Sequence, residues 1–112
     1  MKGKRVSLFI GESDQWQHRP LYLELLRALA RENIEYASAI RSIAGFTKAE
    51  EMKTKVALLG VSGFQPLIVE FADSLENVER AMLAIAEMTA NKVFSIVDVE
   101  IHPSTEPAQR TS

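Results

Sequence analysis

Cysteine is missing from this 112-residue chain. That excludes disulfides, thiolate metal sites and cysteine nucleophiles. Histidine is nearly missing too, with only His18 and His102 present. No apolar run approaches the ~18 residues that a membrane span needs. The apolar stretch at residues 6–10 follows a basic start, Met1-Lys2-Gly3-Lys4-Arg5, but it is short and meets no small-residue cleavage site. It is expected to be a first strand and not a leader peptide. An excess of one charge is absent as well: 13 basic and 15 acidic residues leave a net charge of −2. Nucleic-acid binders usually carry a basic surplus, so none is expected as a partner. These absences point to a cytoplasmic protein that is not membrane-embedded.

What is present is ordinary for a globular domain, with 46% hydrophobic and 25% charged residues. A chain of this length buries roughly two-thirds of its unfolded surface, enough for one core. One domain is expected over residues 1–103. The polar segment 104–112 has no periodicity and is expected to be a disordered tail.

Val6, Leu8 and Ile10 alternate with Ser7 and Phe9, a period of two that predicts a strand ending at Gly11. After a polar stretch, Pro20 suits the first turn of a helix. Tyr22, Leu25, Leu26 and Leu29 then form one helical stripe, and Asn33 is a plausible left-handed stop. Residues 36–43 read as a second strand. A long connection follows, with a possible short helix at 50–59. Pro66 opens a third strand in which Leu67, Val69 and Phe71 alternate with Ile68 and Glu70. Asp73 and Glu76 make a capping-box pattern ahead of a helix whose inner side is Val78, Ala81, Met82, Ile85 and Thr89. Residues 93–101 read as the fourth strand.

The order βαββαβ predicts an α+β, ferredoxin-like domain: a four-stranded antiparallel sheet with both helices on one face. The set Val6, Leu8, Ile10, Leu67, Val69, Phe71, Val97, Val99 and Ile101 is assigned to the helix side. Ser7, Phe9, Ile68, Glu70, Phe94, Ile96 and Asp98 are assigned to the open face. Its apolar members suggest burial against another subunit.

Candidate functional residues gather at the strand ends. Glu12 and Asp14 flank Ser13 just after the first strand. Two carboxylates there can bind a cation or act as acid and base, or they can simply close a turn and start the helix. Ser13 lacks the G-x-S-x-G surroundings of a hydrolase nucleophile. His18 reads as a base, a metal ligand or a solvated side chain. Trp16 either packs over the helix or stacks on a partner. Arg41, in an otherwise small and apolar strand, either pairs with Glu70 or Asp98 on the open face or meets an anionic ligand. Lys48, Lys53 and Lys55 are interleaved with Glu50 and Glu51, and are either a phosphate-steering set or a solvated loop. No nucleophile–base constellation and no metal-ligand spacing emerges, so no catalytic residue is expected and the protein reads as a non-enzyme.

Several segments together resemble one family: Gly11-Glu12-Ser13-Asp14, Pro20-Leu21-Tyr22, Arg41-Ser42-Ile43-Ala44-Gly45-Phe46, Pro66-Leu67-Ile68-Val69-Glu70 and Asp98-Val99-Glu100. In this order and separation they resemble the PII-like proteins grouped as domain of unknown function 190. The resemblance implies a homotrimer built on the open sheet faces, with a partner-reading loop at residues 46–63 carrying Lys48, Lys53 and Lys55. It also implies a small-molecule ligand, an adenine nucleotide being the candidate cofactor, near Gly11, Glu12, Ser13, Asp14, Arg41, Gly45 and Phe46. The nitrogen-regulatory PII proteins have a glycine-rich segment before the last strand, whereas this chain has Met88-Thr89-Ala90-Asn91-Lys92. The expected function is signal transduction. The alternative is a trimer of the metal-tolerance type holding a divalent cation through Glu12, Asp14 or His18.

Overall fold

The computed structural model describes residues 1–46, 57–58 and 65–102. In chain order the elements are β1 (Lys2–Gly11), β2 (Gln15–Trp16), β3 (Arg19–Pro20), α1 (Leu21–Arg31), β4 (Tyr36–Arg41), β5 (Ala44–Gly45), β6 (Ala57–Leu58), β7 (Pro66–Ser74), α2 (Leu75–Ala84) and β8 (Val93–Glu100). The four long strands pair antiparallel in the order β4-β7-β1-β8. This is the ferredoxin-like arrangement that the βαββαβ order predicts.

The core follows from the alternation. Val6, Leu8 and Ile10 of β1 lie opposite Phe71, Val69 and Leu67 of β7, and all six are buried. Directly paired residues share a face, so this is the side that the helices cover. Helix α1 contributes Leu21, Leu25, Ala28 and Leu29, and helix α2 contributes Val78 and Ala81, with Ile85 just beyond its end. Trp16, Tyr22, Leu26 and Met82 pack on the margin, partly buried. The Asn33 stop is as expected. Asn33 has φ 58, its N–H donates to the Ala30 carbonyl, and the Ile34 N–H donates to that of Leu29. This Schellman closure satisfies carbonyls the helix would otherwise leave open.

Four details differ from the sequence expectation. The polar stretch after β1 folds into a small hairpin, Gln15 pairing with Pro20 and Trp16 with Arg19. Strand β4 ends at Arg41. Asp73 is not the cap of α2: it lies within β7, whose last residue, Ser74, is the N-cap and accepts the Asn77 N–H. In β8 the two faces are exchanged. Leu8 lies opposite Phe94 and Val6 opposite Ile96, so Phe94, Ile96 and Asp98 share the helix side, while Val93, Ser95 and Val97 lie opposite Phe9, Ser7 and Arg5 on the open face. The physical reason is that β8 is an edge strand with both alternate sets apolar and both largely exposed. Hydrophobicity therefore cannot tell its faces apart.

The expected helix at 50–59 lies mostly outside the described residues, but Ala57–Leu58 is extended and pairs with β5, so a helix does not continue there. Lys48, Lys53, Lys55 and the segment 104–112 also lie outside the described residues. No helix among the described residues is long and apolar enough to cross a membrane.

Candidate functional site

The antiparallel sheet brings three chain segments to one rim: the turn after β1, the end of β4, and the approach to β8, whose Val93 faces Phe9. Gly11 ends β1 and is buried. Its N–H donates to Asp14 Oδ2 at 2.9 Å and its carbonyl accepts the Asp14 N–H at 3.1 Å. Asp14 thus folds the turn back on itself, and its carbonyl accepts the Leu21 N–H at 2.8 Å, tying the turn to the start of α1. That is the turn-forming role open to these residues from sequence.

Both carboxylates also carry a basic partner. Glu12 takes a two-point contact from Arg41, Nε to Oε1 at 2.6 Å and Nη2 to Oε2 at 3.0 Å. Lys92 Nζ reaches Asp14 Oδ2 at 2.9 Å. Of the two readings open for Arg41, pairing with Glu70 or Asp98 is not what the structure has: its carboxylate partner is Glu12. Arg41 lies opposite Leu67 in register, away from the open face. Glu70 instead faces Arg5 at 4.0 Å and accepts from Ser7 Oγ at 3.5 Å, and Asp98 pairs with Lys4. That lysine contact holds the Asp98 carboxyl below its ordinary range.

Beneath the rim lies Gln65, only 8% exposed. Its carbonyl accepts the Glu12 N–H at 2.7 Å, and its Nε2 donates to the Ser42 carbonyl at 2.6 Å. Ser42 Oγ donates to the Pro66 carbonyl at 2.7 Å. Gln65 thus joins the β1 turn to the segment after β4. Its Oε1 is buried and has no hydrogen-bond partner among the described residues.

Of the residues expected at a site, Gly11, Glu12, Asp14 and Arg41 converge. Ser13 is exposed on the same turn. Gly45 pairs with Ala57 in the short β5–β6 ladder. Phe46 follows it and is exposed. Lys92, Gln65 and Ser42 were not anticipated. Lys92 is 78 positions from Asp14 in sequence. Only the topology, which sets the start of β8 beside the end of β1, could have pointed to it. Asn91 adopts φ 67 just before it, the left-handed conformation that glycine would otherwise supply. His18 also has positive φ, 66, as one of two residues at the tip of the β2–β3 hairpin. It lies outside the ion-pair network. No group of three His, Asp or Glu side chains among the described residues is arranged to hold a metal.

A concavity of about 420 Å³ lies at the other end of β1 between Lys2, Lys4, Leu75, Asp98 and Glu100. It gathers none of Gly11, Glu12, Asp14, Arg41, Gln65 and Lys92. It is open, and Lys4 and Asp98 are paired across it.

The fold resembles CPII, described as a nitrogen regulatory PII-like protein from Thiomonas intermedia K12 bound to ADP, AMP and bicarbonate. The TM-score is 0.64 at 8% identity, covering 90% of this chain and 89% of that one. It also resembles the GlnK–ATP complex of B. subtilis, with a TM-score of 0.54 at 10% identity, covering 88% of this chain and 82% of that one. In sequence the chain is 29% identical to a protein of Aquifex aeolicus (strain VF5) called only "UPF0166 protein", over 90% of this chain and 94% of the relative. The pattern of domain of unknown function 190, described as "Uncharacterized ACR", matches residues 3–101. With the βαββαβ sheet and the rim at the end of β1 in place, the chain belongs to this family and has a PII-like fold.

Proposed function

We propose that the protein is a PII-like regulatory subunit. It assembles as a homotrimer through the open sheet face and binds a small anionic ligand, an adenine nucleotide being the candidate, at the rim formed by Gly11–Asp14, Arg41 and Lys92. It passes the ligand's state to a protein partner through the segment 46–63. The observation that carries this reading is the PII-like fold over nine-tenths of the chain. Two features of the molecule support it. The rim carries two cations, Arg41 and Lys92, each paired with a carboxylate of the same turn, and guanidinium and ammonium groups suit phosphate oxygens. Gln65 and Ser42 join that rim to β5, from which the 46–63 segment departs, so a ligand at the rim has a covalently short route to it.

The divalent-cation alternative has no observation in its favour: the two carboxylates that would serve it already hold Arg41 and Lys92.

Thermal unfolding with ADP, ATP, AMP and a set of divalent cations tests the reading, because a ligand that binds only the folded state raises the melting temperature. At least one adenine nucleotide is expected to raise it in a concentration-dependent way. If none does while a divalent cation does, the nucleotide reading is wrong.

A further inference from the structure

We propose that Glu12 and Asp14 are built-in competitors at an anion site whose cations are Arg41 and Lys92: each carboxylate occupies a cation that an oxygen of a phosphoanion would take, and the ligand enters by drawing those cations away from them. This rests on the ligand-binding reading above and adds the ligand's chemical class and the way it is admitted.

Three observations carry it. The first is the shape of the Arg41–Glu12 contact. Nε and Nη2 meet the two carboxylate oxygens at 2.6 and 3.0 Å, the same fork that a guanidinium offers to two oxygens of a phosphate. The pair is open to water, with side-chain exposures of 53% and 34%. Water and salt screen a pair so exposed, and a multiply charged ligand can compete with it for the guanidinium.

The second is that the turn does not depend on these pairs. The Glu12 backbone is held by its N–H to Gln65, so its side chain can swing out while the chain stays in place. Asp14 keeps the Gly11 N–H when Lys92 leaves it. Displacement therefore frees two cations without unfolding the rim.

The third is Gln65. Its Oε1 is buried without a donor among the described residues, an unfavourable state for an amide oxygen. The residue bridges the turn that carries Glu12 and the segment that follows Arg41. The ligand class is thus a phosphoanion, matched to the two cations that the carboxylates hold. A divalent cation fits less well, because it must expel two tethered side-chain cations from the carboxylates.

Calorimetric titration of the full chain with inorganic pyrophosphate at low salt is the test. Pyrophosphate has the charge but no base, so the result is independent of adenine recognition. Glu12→Gln is expected to bind it about three- to tenfold tighter than the unaltered protein, the scale set by loss of a weak competing ion pair. Arg41→Gln is expected to lose most of the binding, and the double variant to bind no better than Arg41→Gln. Equal or weaker binding by Glu12→Gln would overturn displacement while leaving the anion site intact. A melting temperature for ligand-free Glu12→Gln lowered by more than about 5 °C would mark the pair as a structural brace, and would also overturn it. Failure of every form to bind pyrophosphate would sink both the displacement and the anion site.

Discussion

Asp73 sits where β7 hands over to α2, and three donors converge on its carboxylate: the Glu35 N–H at 2.7 Å, the Ser74 N–H at 2.7 Å and Asn77 Nδ2 at 2.9 Å. It is 4% exposed. Burial alone pushes its pKa up, but the hydrogen bonds from Glu35, Asn77 and Ser74 together outweigh it and hold the carboxyl below its ordinary value. A group depressed in the folded state stabilises the fold at pH values above its unfolded pKa of about 3.9, and that contribution is lost as pH falls through the lower folded value. Asp73→Asn keeps the size but supplies one acceptor atom where two served three donors. It should cost about 1–3 kcal/mol at pH 7, measured by urea unfolding. The gap from the unaltered protein should narrow toward pH ~3. A gap that stays constant between pH 7 and 3 would show that packing, not charge, sets the cost. Sequence put an acidic N-cap at this position because Asp73 and Glu76 have the capping-box spacing. Ser74, one residue on, is an equally good cap, and the Asp73 carboxylate is taken up instead by the long-range N–H of Glu35 together with Ser74 and Asn77.

At the scale of elements, the long periodic segments were readable and the short ones were not. The helical stripe in α1 and the alternation in β1 and β7 each bury one face, so period alone identified them. The β2–β3 hairpin gave no such signal. Its two-residue loop, Gln17 and His18, has φ 52 and 66, the paired left-handed conformation of a type I′ turn. Such a turn is normally announced by Asn-Gly, and neither Gln nor His announces it. The same observation gives a prediction. Bulky residues are disfavoured at positive φ, so the double change Gln17→Asn, His18→Gly should stabilise the protein by about 1 kcal/mol, seen as a higher unfolding midpoint with an unchanged denaturant slope. A lower midpoint would mean that the His18 side chain contributes contacts that outweigh the strain. Half of the site was legible for a related reason. Gly11, Glu12, Asp14 and Arg41 lie next to strand ends that period reveals, whereas Lys92 and Gln65 reach the rim only through the order of strands in the sheet.

For the molecule as a whole, the open sheet face is the feature left unexplained by a single chain. The register lays it out in rows across the four strands. Ile40, Ile68, Phe9 and Val93 form one apolar row. Ser38, Glu70, Ser7 and Ser95 form a polar one, with Glu70 satisfied by Arg5 and Ser7. Tyr36, Ala72, Arg5 and Val97 form the third. In the isolated chain Ile40 and Val93, the two ends of the apolar row, are 45% and 69% exposed, exposed apolar surface of the kind that marks an interface. A standard interface buries about 800 Å² per partner, and a four-stranded face is of that order. If the proposed trimer is built on this face, the unaltered protein should scatter light as three copies of the 12.5 kDa chain. Ile68→Lys should then break the assembly. Its ammonium would stand in the middle of the apolar row, between Ile40 and Phe9, while the neighbouring carboxylate, Glu70, is already engaged by Arg5 and Ser7, and burying a poorly paired charge is far costlier than leaving it in water. In the monomer the same lysine extends into solvent, so the fold should survive with native circular dichroism. Assembly also links stability to concentration, so the melting temperature of the unaltered protein should rise with protein concentration and that of Ile68→Lys should not. Glu79→Lys, on the exposed side of α2, is the matched control and should leave the mass at three chains. A folded Ile68→Lys that still scatters as a trimer would remove this face from the interface, and an unaltered protein that scatters as one chain at micromolar concentration would remove the trimer itself.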